Sequence, residues 1–117
     1  FLRELSAVEV IGNYIFAHAG IDTNKPLNKQ IKEYTTGHYS HSLNRQIPKN
    51  KYLVHGHVPN YRYGLKKDDI YKNKNELSID TGAGHNKFLS LIDLTGQYQY
   101  SVEVTNIRKM NIKRLKI

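Results

Sequence analysis

Short apolar runs alternate with turn residues along the whole chain, in the pattern of a protein rich in β-strands. Residues 7–11 and 14–17 flank Gly12-Asn13, a dipeptide suited to a two-residue hairpin turn, so we predict a β-hairpin there. Five further strands are predicted at residues 52–54, 69–71, 77–79, 88–94 and 97–104. Thr95-Gly96 separates the last two and is a second candidate hairpin turn.

Helical sequence is sparse. Residues 26–34 predict a helix, with Asn24 as the candidate N-cap and Pro26 in the first turn. Residues 1–5 resemble the last turn of another helix, and residues 35–51 form a polar, histidine-rich loop or a loose helix. The fold class that this pattern predicts is therefore α/β, mostly β with one or two helices.

Three of the predicted strands end beside a glycine that is accompanied by a histidine or a carboxylate. These endings are His18-Ala19-Gly20, Gly56-His57 and Asp80-Thr81-Gly82. Glycine allows the backbone to turn sharply, and polar groups at the ends of buried strands usually mark a site. Neutral imidazole is the commonest nitrogen ligand of divalent transition metals, so the two histidines suggest one shared metal ion.

The three segments around these endings resemble motifs of a known family. Residues 16–22 (FAHAGID), 54–59 (VHGHVP) and 78–84 (SIDTGAG) are similar, in order, to the last three motifs of calcineurin-like metallophosphoesterases. The branch they resemble most is the bacterial and phage type of serine/threonine protein phosphatase. The resemblance extends to about residue 95. It implies that residues 1–105 are the C-terminal half of a two-sheet metallophosphoesterase sandwich, followed by a basic tail at 106–117.

Members of this family also carry the motifs D-x-H, G-D-x-x-D-R-G and G-N-H-E, which do not occur in this sequence. The family uses them for most metal ligands, the bridging aspartate, a phosphate-binding arginine and the general-acid histidine. Gly12-Asn13 cannot replace the third motif, because Tyr14 and Ile15 follow. The resemblance therefore implies an incomplete phosphatase domain that lacks catalytic residues of its own and is inactive as given.

The resemblance assigns His18 and His57 to the same one of two divalent metal ions, with manganese expected and iron or zinc as alternatives. His55 also remains open, because residues two apart on a strand point the same way, although the family places its ligand directly after the glycine. The expected site-shaping residues are Gly20, Gly56, Asp80, Gly82 and Gly84. Each motif has a plainer reading as an ordinary turn or a hydrogen-bonded core histidine.

The residues expected to bind the substrate differ from those of the family. Relatives carry a tryptophan and a phosphate-clamping arginine some twenty residues after the first motif, and this chain has no tryptophan. His38 or His41 would have to replace the clamp, or Arg45 would reach back to it, or the substrate is bound differently.

The net charge of the chain indicates which kinds of molecule it would attract. The chain has 18 basic and 10 acidic residues, a net charge of +8, with lysine clusters at 66–67 and 72–74 and a basic stretch at 108–116. Such a surface attracts phosphorylated or acidic partners. The absence of cysteine excludes disulfides and thiolate metal sites, and no apolar run is long enough to span a membrane, so a cytoplasmic location is the default expectation.

Three functions fit these patterns. The first is a metal-dependent phosphomonoesterase acting on a phosphoprotein or a small phosphate ester. The second is a dinucleoside polyphosphate hydrolase of the same fold, and the third is a non-catalytic basic module that binds nucleic acid or an acidic partner. Tyr61, Tyr63 and Tyr71, which lie near the lysine clusters, favour the third. The ordered motifs favour the first.

Overall fold

The computed structural model describes residues 6–37, 46–105 and 111–117, and its elements are mostly strands. The strands are β1 (Val8–Ile11), β2 (Tyr14–Ala17), β3 (Tyr52–His55), β4 (Tyr71–Lys72), β5 (Glu76–Ser78), β6 (Phe88–Asp93), β7 (Tyr98–Glu103) and β8 (Lys113–Lys116). One short α-helix, α1, spans Lys32–Thr35, and 3₁₀ turns lie at Leu27–Lys29, Asn60–Tyr63 and Ala83–His85. The mixed, strand-rich class predicted from the sequence is confirmed.

The strands form two sheets, one of five strands in the order β1-β2-β3-β5-β4 and one of three in the order β6-β7-β8. The chain divides into two units. The first contains the described residues up to Val58 together with 72–78, and the second contains 59–71 and the described residues from 79 onward.

The first unit begins with the predicted hairpin. Strands β1 and β2 pair antiparallel, with Ile11 opposite Tyr14 on either side of Gly12-Asn13. Their apolar residues continue into a core cluster of Ile15, Ala17, Ile21 and Leu53, three of which are at most 1% exposed. Burial of these side chains is the main stabilising contribution in this unit.

Three strands of the first sheet run parallel. Strand β2 pairs with β3, so that Ile15 lies opposite Leu53, and β3 pairs with β5, so that Val54 lies opposite Leu77. Neighbouring parallel strands end at the same edge of a sheet. The register therefore places the residues that follow β2 and β3 side by side.

The predicted helix at 26–34 is wrong as a continuous element. The 3₁₀ turn Leu27–Lys29 has no side-chain cap, and Gln30 then adopts an extended backbone with ψ 137° before α1 begins. The Gln30 side chain accepts a hydrogen bond from Asp22 N at 2.7 Å and donates one to Asp22 O at 2.8 Å. Asn24 is not the N-cap that the sequence predicted: the N-cap of the turn is Pro26, and the backbone N–H of Asn24 donates to the Asp22 carboxylate. These side-chain bonds replace the helical ones that the propensities favoured.

The second unit contains an antiparallel meander. The β6–β7 hairpin is confirmed, although its loop has four residues, 94–97, because Asp93 pairs with Tyr98. The Asp93 carboxylate accepts hydrogen bonds from Thr95 N and Gly96 N and so holds the longer loop.

Two predicted strands of the five-stranded sheet have shifted bounds. The strand predicted at 69–71 is found as the two-residue strand β4, and the strand predicted at 77–79 begins one residue earlier as β5.

Strand β8 lies in the stretch that the sequence indicated only as a basic tail. It pairs with β7, with Arg114 opposite Tyr100 and Lys116 opposite Tyr98. All four residues of β8 are exposed, and their sequence, KRLK, lacks the alternation of apolar and polar residues that predicts a half-buried strand. The Arg114 guanidinium lies 3.8 Å from the centre of the Tyr98 ring, a cation–π contact that holds this edge strand.

Buried polar groups connect strand β7 to the segment 59–71 within the second unit. Gln99 Nε2 donates to Asp68 O at 2.6 Å, and the Ser101 hydroxyl donates to the Asp68 carboxylate. All three residues are at most 6% exposed. Because buried polar groups need partners, these bonds fix where the segment lies on the sheet.

Residues 1–5, predicted as the end of a helix, lie outside the described residues, as does most of the loop predicted at 35–51. Within the described part of the chain, no helix has the length and apolar character needed to cross a bilayer.

We predict that Leu53→Ala destabilises the protein by about 2–5 kcal/mol in urea denaturation, because it opens a cavity in the core of the first unit. Leu53 is fully buried, whereas Ile11 on β1 is 62% exposed. The control Ile11→Ala should change the free energy of unfolding by no more than about 0.5 kcal/mol. Equal losses for the two variants would contradict the assigned core.

Candidate functional site

Two histidines meet where β2 and β3 end. His18 directly follows β2, and His57 comes two residues after the last residue of β3. The backbone N–H of Gly56 donates to His18 O at 2.8 Å, which continues the parallel pairing one step beyond the strands. The backbone thus holds the two side chains next to each other before any contact between their rings is considered.

The imidazole rings of this pair face each other through their nitrogens. His18 Nε2 lies 3.0 Å from His57 Nδ1, and the ring centres are 4.9 Å apart with the planes inclined by 68°. When one of these nitrogens carries a proton, the pair forms a hydrogen bond. When neither does, each of the two neighbouring nitrogens has a lone pair that can bind a cation.

Gly37 determines how the His57 ring can lie. A β-carbon at Gly37 would fall 2.3 Å from His57 Nε2, so no other residue fits there without displacing the imidazole. Gly37 has φ 114° and His57 has φ 72°, both in the left-handed region, which is unusual for a residue with a side chain. A close backbone contact on the Nε2 side thus leaves Nδ1 directed toward His18.

The residue after His18 is also fixed. The N–H of Ala19 donates to Thr35 O at 2.7 Å, at the end of α1, and both residues are at most 2% exposed. This bond ties α1 to the end of β2, while the His18 side chain remains exposed and Gly20 is buried beside it.

His55 does not belong to the pair. Its side chain is 2% exposed, and its Nε2 lies 3.2 Å from a carboxylate oxygen of Glu76, which is itself completely buried on β5. The alternative of a joint site from His55 and His57 is therefore wrong, because the imidazole of His55 is used inside the sheet.

Glu76 is the residue near the site that sequence reasoning missed. It lies opposite Leu53 in the parallel pairing of β3 with β5, where an apolar residue would be usual. The signal available in the sequence was a histidine at the end of β3, His55, and a glutamate at the start of β5, Glu76. A local pattern does not indicate that the two strands are neighbours.

Asp80, Gly82 and Gly84 lie in the second unit. Asp80 Oδ1 accepts a hydrogen bond from Gly82 N at 2.8 Å, and Asp80 O accepts one from Asn60 N at 2.8 Å. Thr81 is 4% exposed, and its hydroxyl donates to Phe88 O at 2.8 Å. The carboxylate of this motif therefore orients its own loop and the start of the following strand.

The three predicted substrate contacts, Arg45, His38 and His41, lie outside the described residues. Among the residues that are described, no group of three or more histidine, cysteine, aspartate or glutamate side chains could hold a metal ion. Within the part of the chain that the structure describes, the site supplies two imidazole nitrogens.

The separation of these nitrogens fits shared coordination. Two nitrogens bound to one ion at about 2.1 Å lie roughly 3.0 Å apart when they subtend a right angle and roughly 3.4 Å apart in a tetrahedron. The observed distance of 3.0 Å agrees with the first value. This separation suits two neighbouring ligands of one ion, and it is equally that of a hydrogen bond between the two rings.

Comparisons of this chain with models of protein families, with curated proteins and with solved structures found no match.

We predict that Gly37→Ala displaces the His57 ring and destabilises the first unit, because the new methyl group would overlap the imidazole. The matched control is Gly64→Ala, which also places alanine at a positive φ, 84°, but meets no atom within 4 Å. The loss for Gly37→Ala should exceed that for the control by about 1–3 kcal/mol. Imidazole NMR signals of His57 should shift only in the first variant, and equal losses with unchanged signals would refute the contact.

A second prediction concerns the buried pair His55–Glu76. His55→Leu should cost about 3–5 kcal/mol, because it leaves a buried carboxylate without its imidazole partner. The double variant His55→Leu, Glu76→Leu should be more stable than that single variant, since replacing both members by apolar groups is often neutral. Losses that simply add in the double variant, measured by urea denaturation, would show that the two side chains are not coupled.

Proposed function

We propose that this chain is part of a metal-dependent phosphoester hydrolase, of the calcineurin-like class and similar to serine/threonine protein phosphatases. The observation that carries the proposal is the 3.0 Å separation of His18 Nε2 and His57 Nδ1 at the aligned ends of two parallel strands. The sequence around both histidines resembles the metal-binding motifs of that class.

The surroundings of the pair favour metal binding over a purely structural role. A structural histidine is usually buried and hydrogen-bonded, as His55 is, whereas His18 is exposed and His57 is partly exposed. The backbone of Gly37 packs against the Nε2 edge of His57, where a β-carbon would lie 2.3 Å away, and this contact supports the orientation in which Nδ1 faces His18 Nε2. In this orientation His57 has a left-handed backbone conformation, with φ 72°, and backbone strain of this kind is found more often at functional sites.

The chemistry assigned to the chain's own residues is limited to binding. His18 and His57 would hold one divalent ion as neutral ligands, and neutral ligands add no negative charge that would repel a phosphate. A divalent ion at such a site acidifies a bound water and stabilises charge on the phosphoryl group. Manganese is the ion we propose, with iron or zinc as alternatives, because imidazole accepts all three.

The proposed substrates are phosphoserine or phosphothreonine in proteins, or small phosphate esters. The net charge of +8 supports this choice, because it attracts phosphorylated molecules over long range. The motif resemblance adds the serine/threonine preference.

Manganese binding tests the proposal. Substoichiometric Mn²⁺ should broaden the imidazole NMR signals of His18 and His57 far more than those of His55, whose Nε2 faces Glu76 inside the sheet and which does not bind the ion. His57→Ala should abolish the effect at His18, whereas the control His85→Ala should leave it unchanged. Uniform weak broadening of all exposed histidines, or persistence of the effect in His57→Ala, would refute the shared site.

Activity gives a separate test. With Mn²⁺ the chain alone should not hydrolyse p-nitrophenyl phosphate, because two imidazoles provide neither a bridging carboxylate nor a proton for the leaving group. Hydrolysis that His57→Ala abolishes would contradict the expected inactivity but support the metal site. Hydrolysis that is unaffected by His18→Ala and His57→Ala would contradict both.

A further inference from the structure

The second unit contains a cavity of about 1070 Å³ that the proposed metal site does not use. Residues from three segments line it: Tyr61 and Lys67, then residues 85–88, and finally residues of β7, β8 and the adjoining loops. All of them belong to the second unit. The volume reaches the upper end of the range for small-molecule sites, and it is far larger than an inorganic phosphate needs.

The charge around this cavity is mostly positive. Lys67, Lys87 and Lys113 line it, and Glu103 is the carboxylate among the lining residues. Within the described residues, none of the three lysines takes part in an ion pair. Lys113 lies 5.9 Å above the ring of Phe88, which holds its ammonium group at the cavity wall without neutralising it. The cavity therefore favours an anion.

Aromatic rings lie beside these charges. The ring of Tyr61, a residue that is 37% exposed, meets the imidazole of His85 edge to face, with the ring centres 6.1 Å apart and the planes at 88°. Such a ring offers a face on which a planar group can stack.

Gly82 determines the spacing between the ring and the nearest lysine. A methyl group there would lie 3.1 Å from Cβ of Lys87 and 3.2 Å from Cε1 of Tyr61, so the glycine backbone packs against both. This is the close approach at the Asp80-Thr81-Gly82 motif, and the side chains that it brings together line the cavity.

We infer that this cavity binds a nucleotide unit, with the base stacked on Tyr61 and the phosphates contacted by Lys67, Lys87 and Lys113. Lysines alone would accept any anion, but an exposed aromatic face beside them matches the combination of stacking and phosphate contacts by which proteins bind single-stranded nucleic acid. A phosphorylated peptide would contact the lysines, but its phosphate carries no planar ring that would stack on Tyr61. The inference does not rest on the proposed phosphatase function, because it uses none of the residues of the histidine pair.

The experiment is fluorescence anisotropy of a short labelled oligothymidylate with the full chain. Lys113→Glu should weaken binding about ten-fold or more, because it reverses a phosphate-binding charge. The matched control is Lys116→Glu on the same strand, whose side chain leaves the strand on the opposite face and does not line the cavity. It changes the net charge equally and should alter the affinity less than about two-fold.

The stacking part has its own variants. Tyr61→Ala should weaken binding roughly ten-fold, as expected for the loss of one stacked base, whereas Tyr61→Phe keeps the ring and should bind like the wild type. In a salt titration the logarithm of the binding constant should fall with a slope of about 2 for three phosphate contacts. That slope should decrease by about 1 in Lys113→Glu.

Competition identifies the source of the nucleotide. Displacement of the oligonucleotide by uridine monophosphate at similar concentration supports a free nucleotide as ligand, and displacement only by longer strands supports single-stranded nucleic acid. Equal weakening by Lys113→Glu and Lys116→Glu would overturn the inference, because it would reduce binding to net charge. A phosphoserine peptide that competes equally well, with Tyr61→Ala without effect, would also overturn it. Loss of manganese binding at His57 would leave it untouched.

Discussion

The parallel register between β2 and β3 is the constraint on which the candidate site depends. It sets Ile15 opposite Leu53 in the core and carries the pairing one step further, to the bond between Gly56 N and His18 O. A slip of one residue would turn the apolar side chains out of the core and would separate the two imidazoles at the same time. Packing and site geometry are therefore fixed by the same backbone hydrogen bonds, which explains why a precise pair can form on a sheet of such short strands.

Each unit contains a buried network of polar side chains, built around His55 in the first unit and around Asp68 in the second. In the first unit, His55 and Glu76 satisfy each other between neighbouring parallel strands, so that the sheet accepts a charged residue at a core position. In the second unit, Asp68 accepts a hydrogen bond from Ser101 on β7, and the backbone oxygen of Asp68 accepts one from Gln99. Such networks add directional constraints that apolar packing lacks, and they hold the segments from which functional side chains project.

The chemistry of the two units differs in kind. The first presents two imidazole nitrogens, which suit a metal cation, and the second presents lysines and a tyrosine, which suit an anion with a planar ring. In each unit a glycine allows a close contact beside these side chains. At Gly37 and at Gly82 the absence of a side chain allows the backbone to pack directly against other side chains, His57 in one case and Tyr61 with Lys87 in the other.

Local pattern was sufficient to locate the hairpin around Gly12-Asn13, strands β3, β6 and β7, and the histidines at strand ends, because turn chemistry and period-two alternation act over a few residues. It failed where distant groups decide the backbone. The Gln30 side chain interrupts the helix through bonds to Asp22, β8 exists only because β7 offers it a partner, and Glu76 is tolerated only because β5 lies beside β3. The 3.0 Å approach of His18 to His57 belongs to the same class. Sequence supplied both imidazoles, but their convergence depends on strand order and register, which no local signal encodes.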